Sequence, residues 1–174
     1  MKKMLFLMLI SLCVFACKDR EPDPNVLPEA TQTGANTAGA LVDGKVWVAT
    51  TTFLNPPGSR CEQIGTKTKI TLDLRNKANI GSNSIEIHAL IENFEINKTY
   101  VLSEDSTIGG ANYAIFINAE GIGYLSNSTY YGRIKITRLD IQNQIVSGTF
   151  EFQAVNANGN IVNITDGRFD KKFD

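Results

Sequence analysis

The sequence predicts an all-β protein, built as a single antiparallel β-sandwich domain that follows an N-terminal signal peptide and a proline-rich tether. A lipocalin-like β-barrel is the alternative arrangement of the same strands. From residue 40 onward, short segments alternate apolar and polar residues, which is the period of a strand with one buried face. Turn sequences rich in Gly and Asn separate these segments, and spacing of this kind is typical of sandwiches and barrels.

The N-terminal segment has the character of an export signal. Lys2 and Lys3 precede an almost wholly apolar run from Met4 to Ala16. A run of about a dozen apolar residues fits a signal peptide, whereas a transmembrane helix needs about 20. Charged residues begin at Lys18 and end the run. We therefore expect residues 1–16 to be removed.

The predicted cleavage site carries the motif that gives the chain its anchor. Val14-Phe15-Ala16-Cys17 resembles the lipobox of bacterial lipoproteins, although Phe15 is bulkier than usual. The resemblance implies cleavage after Ala16 and lipidation of the Cys17 thiol. Two or three acyl chains, at about 0.8 kcal/mol per buried methylene, hold a protein stably at a membrane. We expect an outer-membrane lipoprotein of the cell envelope, with the membrane as a partner through this lipid.

Residues 17–39 then read as the lipidated cysteine and a flexible tether. Pro22, Pro24 and Pro28 oppose helix and favour extended geometry. About 22 such residues could span roughly 75 Å. The charged run that starts at Lys18 loosely resembles the signals that direct lipoproteins of the Bacteroidota to the cell surface. A tether that faces the periplasm is the alternative.

The β domain is predicted over residues 40–174, and its strands follow in order along the chain. Asp43-Gly44 lies between two apolar runs, which is a strong hairpin signal because Gly accepts the positive φ of a primed turn. Further strands are predicted over 69–74, 84–91, 98–102, 113–117, 133–137, 147–154, 161–165 and 168–173. About 135 residues form one domain, which is large enough to bury a core without metal or disulfides.

Charge and cysteine content exclude several classes of function. The signal peptide carries two of the 17 basic residues, which leaves 15 against 18 acidic residues and a mature net charge of −3. A mildly acidic chain with scattered charges has no electrostatic footprint for nucleic acid. Cys61 is the one cysteine left after Cys13 is removed and Cys17 is lipidated. No disulfide can form within one mature chain, and we expect Cys61 to be a buried, inert apolar residue.

Three sequence motifs carry a resemblance to a known family. They are TQTGANT followed by LVDGKVW within residues 31–48, VSGTFEF at 146–152 and ITDGRFD at 164–170. These motifs resemble the opening and closing segments of a family of Bacteroidota lipoproteins that is known only as a domain of unknown function. The resemblance implies a lipoprotein with a β domain and says nothing of a mechanism.

Candidate residues for catalysis or metal binding are few. His88 is the only histidine, and we expect it on the polar face of its strand. Asp166 and Asp170 lack the spacing of a calcium loop, so we interpret Asp166-Gly167 as a turn between two strands. No glycine-rich phosphate loop opens a helix. The sequence therefore predicts no metal site and no cofactor.

Two weaker signals concern ligands and modification. Tyr124, Tyr130 and Tyr131 lie among serines and asparagines, a polar-aromatic composition that suits contact with carbohydrate or peptide. Asp105-Ser106-Thr107 resembles the acceptor motif for protein O-glycosylation in Bacteroidota, with Ser106 as the acceptor. We expect a non-enzymatic lipoprotein whose β domain binds a protein or glycan partner or has a structural role. A small glycan-directed hydrolase is the alternative.

Overall fold

The computed structural model describes residues 23–50, 58–77, 82–103 and 112–174, without the side chains of residues 77 and 82. The fold is all-β, as predicted, and none of these residues is helical. Within this part of the chain, no helical segment has the length and apolar character needed to span a bilayer. The strands are β1 (Thr37–Val42), β2 (Lys45–Val48), β3 (Arg60–Ile64), β4 (Lys67–Lys77), β5 (Ser82–Glu92), β6 (Thr99–Leu102), β7 (Tyr113–Ile117), β8 (Gly123–Leu125), β9 (Gly132–Asp140), β10 (Ile145–Val155) and β11 (Ile161–Lys172).

The strands form one antiparallel sheet with the order β2-β1-β11-β10-β8-β7-β5-β4-β3. Strand β9 also pairs with β10, and β6 pairs with the other edge of β9. The order ends at β2 and β3, so the sheet is open and agrees with the predicted sandwich rather than with a closed barrel. β8 reaches β10 through one pair, Val155 with Leu125, while β9 pairs with residues 145–152 of that strand.

The core confirms the predicted alternation. Inward side chains of β4 and β5 and inward side chains of β9 and β10 belong to one hydrophobic cluster. Those at the centre of the cluster are fully buried: Ile70, Leu72, Ile85, Ile87, Ile134, Ile136 and Ala154. Because strands from distant parts of the sheet share one core, the sheet folds over and packs against itself as a sandwich does.

The first hairpin has the predicted turn. Asp43 and Gly44 have φ values of 48° and 78°, and they connect β1 to β2 through the pair of Val42 with Lys45. Two positive φ values in a two-residue loop match a type I′ turn. The short strands β3 and β8 were not predicted, since neither segment shows a clear apolar alternation.

The predicted turn at Asp166-Gly167 is wrong, and β11 passes through it as one strand. Phe150 pairs with Gly167 and Phe152 pairs with Ile164, so two residues of β11 lie opposite Glu151. This is a β-bulge, and the φ of 52° at Asp166 belongs to it. The extra residue shifts the alternation by one position, because Ile164 is buried before the bulge and Phe169 after it.

The folded domain begins before the predicted boundary at residue 40. Strand β1 starts at Thr37. Residues 31–36 lie against β11 and hydrogen-bond to it. Part of the segment predicted as tether is therefore fixed on the sheet.

A close approach between β9, β10 and β11 explains one glycine of the VSGTFEF motif. Gly148 pairs with Phe169 across the sheet. A Cβ at Gly148 would lie 2.3 Å from the Lys135 carbonyl oxygen and 2.8 Å from Cζ of Phe169. Since real Cβ atoms do not approach so closely, the Phe169 ring occupies the space that a side chain at residue 148 would need.

Candidate functional site

The outward side chains of β9, β10 and β11 form a polar surface, which we call the outer face. Cross-strand pairs place its members side by side, with Arg133 opposite Glu151 and Gln153 opposite Asn163. The outer face consists of Arg133, Lys135, Thr149, Glu151, Gln153, Asn163, Thr165 and Arg168.

One depression on the outer face lies beside Tyr131 and has a volume of about 260 Å³. Its polar lining comes from Arg133, Glu151, Gln153 and Asn163. Tyr131 is 45% exposed, and the Arg133 guanidinium carbon lies 5.5 Å from the centre of its ring. We call this space the Tyr131 depression. It combines an aromatic surface with amide, carboxylate and guanidinium groups.

A second depression, with a volume of about 460 Å³, continues along the same strands and shares Arg133 and Glu151 with the first. Its lining adds Lys135 and Arg168, and Ala30 of the N-terminal segment forms part of its wall. We call it the Lys135 depression. We refer to the two neighbouring depressions together as the groove of the outer face.

The charges in the groove are partly paired. Arg133 Nη1 lies 3.5 Å from Glu151 Oε1, and both side chains are about half exposed. Arg168 donates from Nε to the Asp166 carbonyl oxygen at 3.1 Å. Within the described part of the chain, neither Lys135 nor Arg168 forms an ion pair. The Lys135 depression is therefore lined by two cations, Lys135 and Arg168, that form no direct ion pair with a described carboxylate, while Glu151 and Asp166 also belong to its lining.

A buried carboxylate fixes the segment that forms the wall of the groove. Asp170 is 1% exposed, and its side chain accepts hydrogen bonds from the backbone N–H groups of Thr33, Gly34 and Ala35 at 2.8, 2.8 and 3.1 Å. The hydroxyl groups of Thr31 and Ser147 donate at 2.6 and 2.7 Å. We call these six residues the Asp170 cluster.

The electrostatics of Asp170 follow from these contacts. Burial alone would raise the pKa of the carboxyl group. The hydrogen bonds from Thr31, Ser147, Ala35 and Gly34 outweigh burial and hold the pKa of Asp170 well below its usual range. Asp170 is therefore ionised at neutral pH, and among the described residues its charge is balanced by hydrogen-bond donors rather than by a direct ion pair.

The neighbouring residue adds a second attachment for the same segment. Lys171 is 1% exposed and donates from Nζ to the Asn36 carbonyl oxygen at 2.9 Å. Burial lowers the pKa of Lys171 to about 8, while the nearby Asp170 opposes that shift. Arg138 donates to the Gln32 carbonyl oxygen. Three side chains of the sheet thus hold residues 31–36.

The Asp170 cluster joins the three motifs that were noted in the sequence. Thr31 to Ala35 come from TQTGANT, Ser147 comes from VSGTFEF, and Asp170 ends ITDGRFD. Their meeting explains the residue types, because Thr and Ser supply hydroxyl donors and the backbone around Gly34 can place three N–H groups on one carboxylate. Gly34 has a φ of 76°.

Comparison with known proteins identifies a family without a known activity. Residues 64–171 match the family model described as "Domain of unknown function (DUF6252)". The chain belongs to this family. No curated protein and no solved structure matches the chain. The matched region contains both the outer face of the DUF6252 domain and Asp170, whereas residues 31–36 precede it.

The three tyrosines predicted as a binding segment occupy different environments in the DUF6252 domain. Tyr131 is exposed and lines the groove. Tyr124 packs against the core beside Phe116, with ring centres 6.0 Å apart. Tyr130 is half-buried, and its backbone N–H donates to Asn127 Oδ1 at 2.8 Å in a local turn. Of the three, only Tyr131 can offer its ring to a ligand in the groove.

His88 and Cys61 lie away from the groove. His88 is on the outward face of β5, where its ring stacks on Tyr113 with centroids 4.6 Å apart and lies 3.9 Å from Glu86. Cys61, expected to be buried, is half-buried on β3 and packs against the core. Burial, followed by the charge of Glu62, raises the pKa of its thiol to about 11. Cys61 is thus a protonated thiol at neutral pH.

Several predicted sites lie outside the described residues, namely Ala16, Cys17 and Ser106. Among the described residues, no group of three or more His, Cys, Asp or Glu side chains is placed to hold a metal ion. The sequence interpretation predicted the strand that carries Arg133 and Lys135 over 133–137 but did not reveal the groove. It also missed Asp170, although the change in alternation after residue 165 was a signal that a bulge was present.

Proposed function

We propose that the protein is a lipoprotein of the cell envelope, anchored through Cys17, whose DUF6252 domain binds an extracytoplasmic ligand in the groove of the outer face. The observation that carries the binding role is the groove itself. It places the exposed Tyr131 ring, amide side chains and two cations that have no ion-pair partner among the described residues on one face of a rigid sheet. Sites on strands hold their side chains more firmly than sites on loops.

The anchoring role is supported by the sequence. The positive start, the apolar run and the Val14–Cys17 motif together favour lipidation of Cys17. The N-terminal segment is held on the sheet by the Asp170 cluster and forms a wall of the groove at Ala30. A membrane anchor at Cys17 would therefore be connected directly to the edge of the binding site.

The non-enzymatic role is supported by the state of the carboxylates. Glycoside hydrolysis uses two carboxyl groups with separate roles as acid and as base or nucleophile. Glu151 lines both depressions and its oxygen faces the Arg133 guanidinium, and Asp166 is the other carboxylate that lines the groove. The contact with Arg133 gives Glu151 a place in the charged lining of a binding surface, which needs no catalysis.

Anchoring can be tested with the three cysteines of the precursor. Cys17→Ala should abolish labelling by a radioactive or clickable fatty acid and should release the protein from the membrane fraction. Cys13→Ala and Cys61→Ala are matched controls that should keep both properties. If the Cys17→Ala protein remains labelled and membrane-bound, the anchoring proposal is refuted.

Binding at the outer face can be tested by photo-crosslinking in intact cells. The photoreactive residue p-benzoylphenylalanine, placed at Gln153 in the groove, should give a discrete adduct of higher mass. The same residue at Lys69, which is 46% exposed on β4, provides the control and should give none. Equal adducts from both positions, or none from Gln153, would contradict a binding role for this face.

A further inference from the structure

The chemical groups of the groove change in character from one end of the groove to the other. An aromatic ring and neutral amides lie at one end, and cations with hydroxyl groups lie at the other. On this basis we propose that the groove binds an acidic oligosaccharide, a chain of several sugar units that carry carboxylate groups, as in polyuronates. This inference rests on the proposed function and specifies the ligand of the same site.

The Tyr131 depression has the groups that recognise a sugar ring. An exposed aromatic ring offers an apolar surface to the C–H groups of a pyranose. Gln153 and Asn163 present amide groups beside it, already oriented by a hydrogen bond of 2.7 Å between Gln153 Nε2 and Asn163 Oδ1. Amides can donate and accept at the same time, which matches the hydroxyl groups that surround a sugar.

The Lys135 depression supplies the charge preference. Three cations line it, Arg133, Lys135 and Arg168, against the carboxylates of Glu151 and Asp166. Glu151 is already engaged by Arg133, and Lys135 has no ion-pair partner among the described residues. Guanidinium and ammonium groups bind carboxylates through short, charge-assisted hydrogen bonds. The open charges therefore favour an anionic ligand over a neutral one.

The length and position of the groove favour a chain rather than a single sugar or a peptide strand. From Gln153 to Thr149 the groove follows five residues of β10, whose four steps span about 13 Å, and this length exceeds one sugar ring. The backbone groups of β10 are used in pairs with β9 and β11. A peptide that binds by strand addition requires a free sheet edge, and the groove lies on the face of three paired strands.

The test measures direct binding by the full-length mature protein in detergent. The probes are tetragalacturonate, its fully methyl-esterified form and tetraglutamate, an acidic peptide of matched charge. Tetragalacturonate should bind about tenfold more tightly than the ester, since a lost charge-assisted hydrogen bond is worth about 1.5–3 kcal/mol. Tetraglutamate should bind no better than the ester, because it lacks rings to stack on Tyr131.

Variants then locate the binding. Lys135→Gln, Arg168→Gln and Tyr131→Ala should each weaken tetragalacturonate binding by about tenfold, and Tyr131→Phe should bind nearly as well as the wild type. Lys69→Gln is the matched control, a half-exposed cation on β4 whose loss should leave the affinity unchanged.

Several outcomes would overturn the inference. They are equal affinity for acid and ester, equal affinity for the acidic peptide, equal loss in Lys69→Gln, and no saccharide binding at all. If the ester binds as tightly as the acid and still depends on Tyr131, or if no saccharide binds but an adduct forms at Gln153, the acidic oligosaccharide is excluded while the binding role of the outer face is retained. If neither saccharide binding nor the adduct at Gln153 is observed, the proposed function is refuted as well.

Discussion

The Asp170 cluster yields a prediction whose magnitude can be worked out from the structure. Asp170→Ala removes the acceptor of three backbone N–H groups, of Thr33, Gly34 and Ala35, and of the buried Ser147 hydroxyl. A donor left without its partner costs about 1–3 kcal/mol. The N-terminal segment can turn part of these groups to water, so we expect the lower bound for each of the three amides and for the Ser147 hydroxyl, or a total of about 4 kcal/mol.

Asp170→Asn tests the charge separately from the shape. One carboxylate oxygen accepts from Thr31, Thr33 and Ala35, and the other accepts from Gly34 and Ser147. The asparagine side chain keeps one acceptor oxygen, but its NH2 group replaces the other oxygen. That NH2 group is itself a donor and cannot accept from the donors that it faces. We expect a loss of about 2 kcal/mol in the free energy of unfolding, between the wild type and Asp170→Ala.

The pH dependence gives a second, independent readout. The folded-state pKa of Asp170 lies below its usual range, so ionised Asp170 stabilises the native state at every pH above the unfolded value of about 3.9. This stabilisation is lost as the pH falls from there toward the folded-state pKa. The difference in stability between wild type and Asp170→Asn should therefore be constant from about pH 5 to 7 and shrink below about pH 4.

Urea denaturation and amide hydrogen exchange together provide the assay. Urea midpoints give the change in unfolding free energy, and exchange at residues 33–35 should accelerate selectively in both variants. Asp140→Asn is the control, because Asp140 accepts only from nearby Asn143 and Arg138 and should cause a smaller loss with no change at 33–35. Full stability and unchanged exchange in Asp170→Ala would refute the role assigned to the cluster.

Three further predictions concern packing and titration. Gly148→Ala should cost about 2 kcal/mol in urea denaturation because its Cβ would meet the Lys135 carbonyl oxygen and the Phe169 ring, whereas Gly123→Ala, which has open space, should be neutral. The Cys61 thiol has a pKa of about 11, so little of the reactive thiolate is present at pH 8. Iodoacetamide should therefore alkylate Cys61 far more slowly in the native protein than in urea. Equal rates would contradict the partial burial of the thiol. Lys171 has a pKa of about 8 in the folded protein, against about 10.4 in the unfolded chain. The free energy of unfolding should therefore rise as the pH increases from about 8 to about 10.4. Urea denaturation of Lys171→Met should not show this rise.

The strands that were predicted well are those in which a local pattern decides the structure. Ile85, Ile87 and Ala89 are buried on β5 as the alternation required, because each residue of a strand faces the side opposite to its neighbour. The hairpin at Asp43-Gly44 follows from the conformational preferences of two residues. In both cases the determining interactions lie within a few positions of each other in the chain.

The elements that were not predicted depend on contacts between distant residues. Asp170 follows a bulge that shifts the alternation, and the donor Thr31 lies 139 positions earlier in the sequence. Nothing in the local sequence of either residue specifies the other. The groove is similar, since Tyr131, Asn163 and Ala30 come together only when β9, β10, β11 and the N-terminal segment are assembled.

The position of the Asp170 cluster also changes how far the domain can lie from its proposed anchor. A tether over residues 18–39 would reach roughly 75 Å. Because Leu27 and Pro28 lie against Gly39 of β1 and Thr31 is bonded to Asp170, at most residues 18–26 remain to span the gap, and these reach about 30 Å. Ala30, which follows that span, lines the groove. If Cys17 carries the lipid, the tether would thus join the domain beside the proposed binding site and would hold that site close to the membrane.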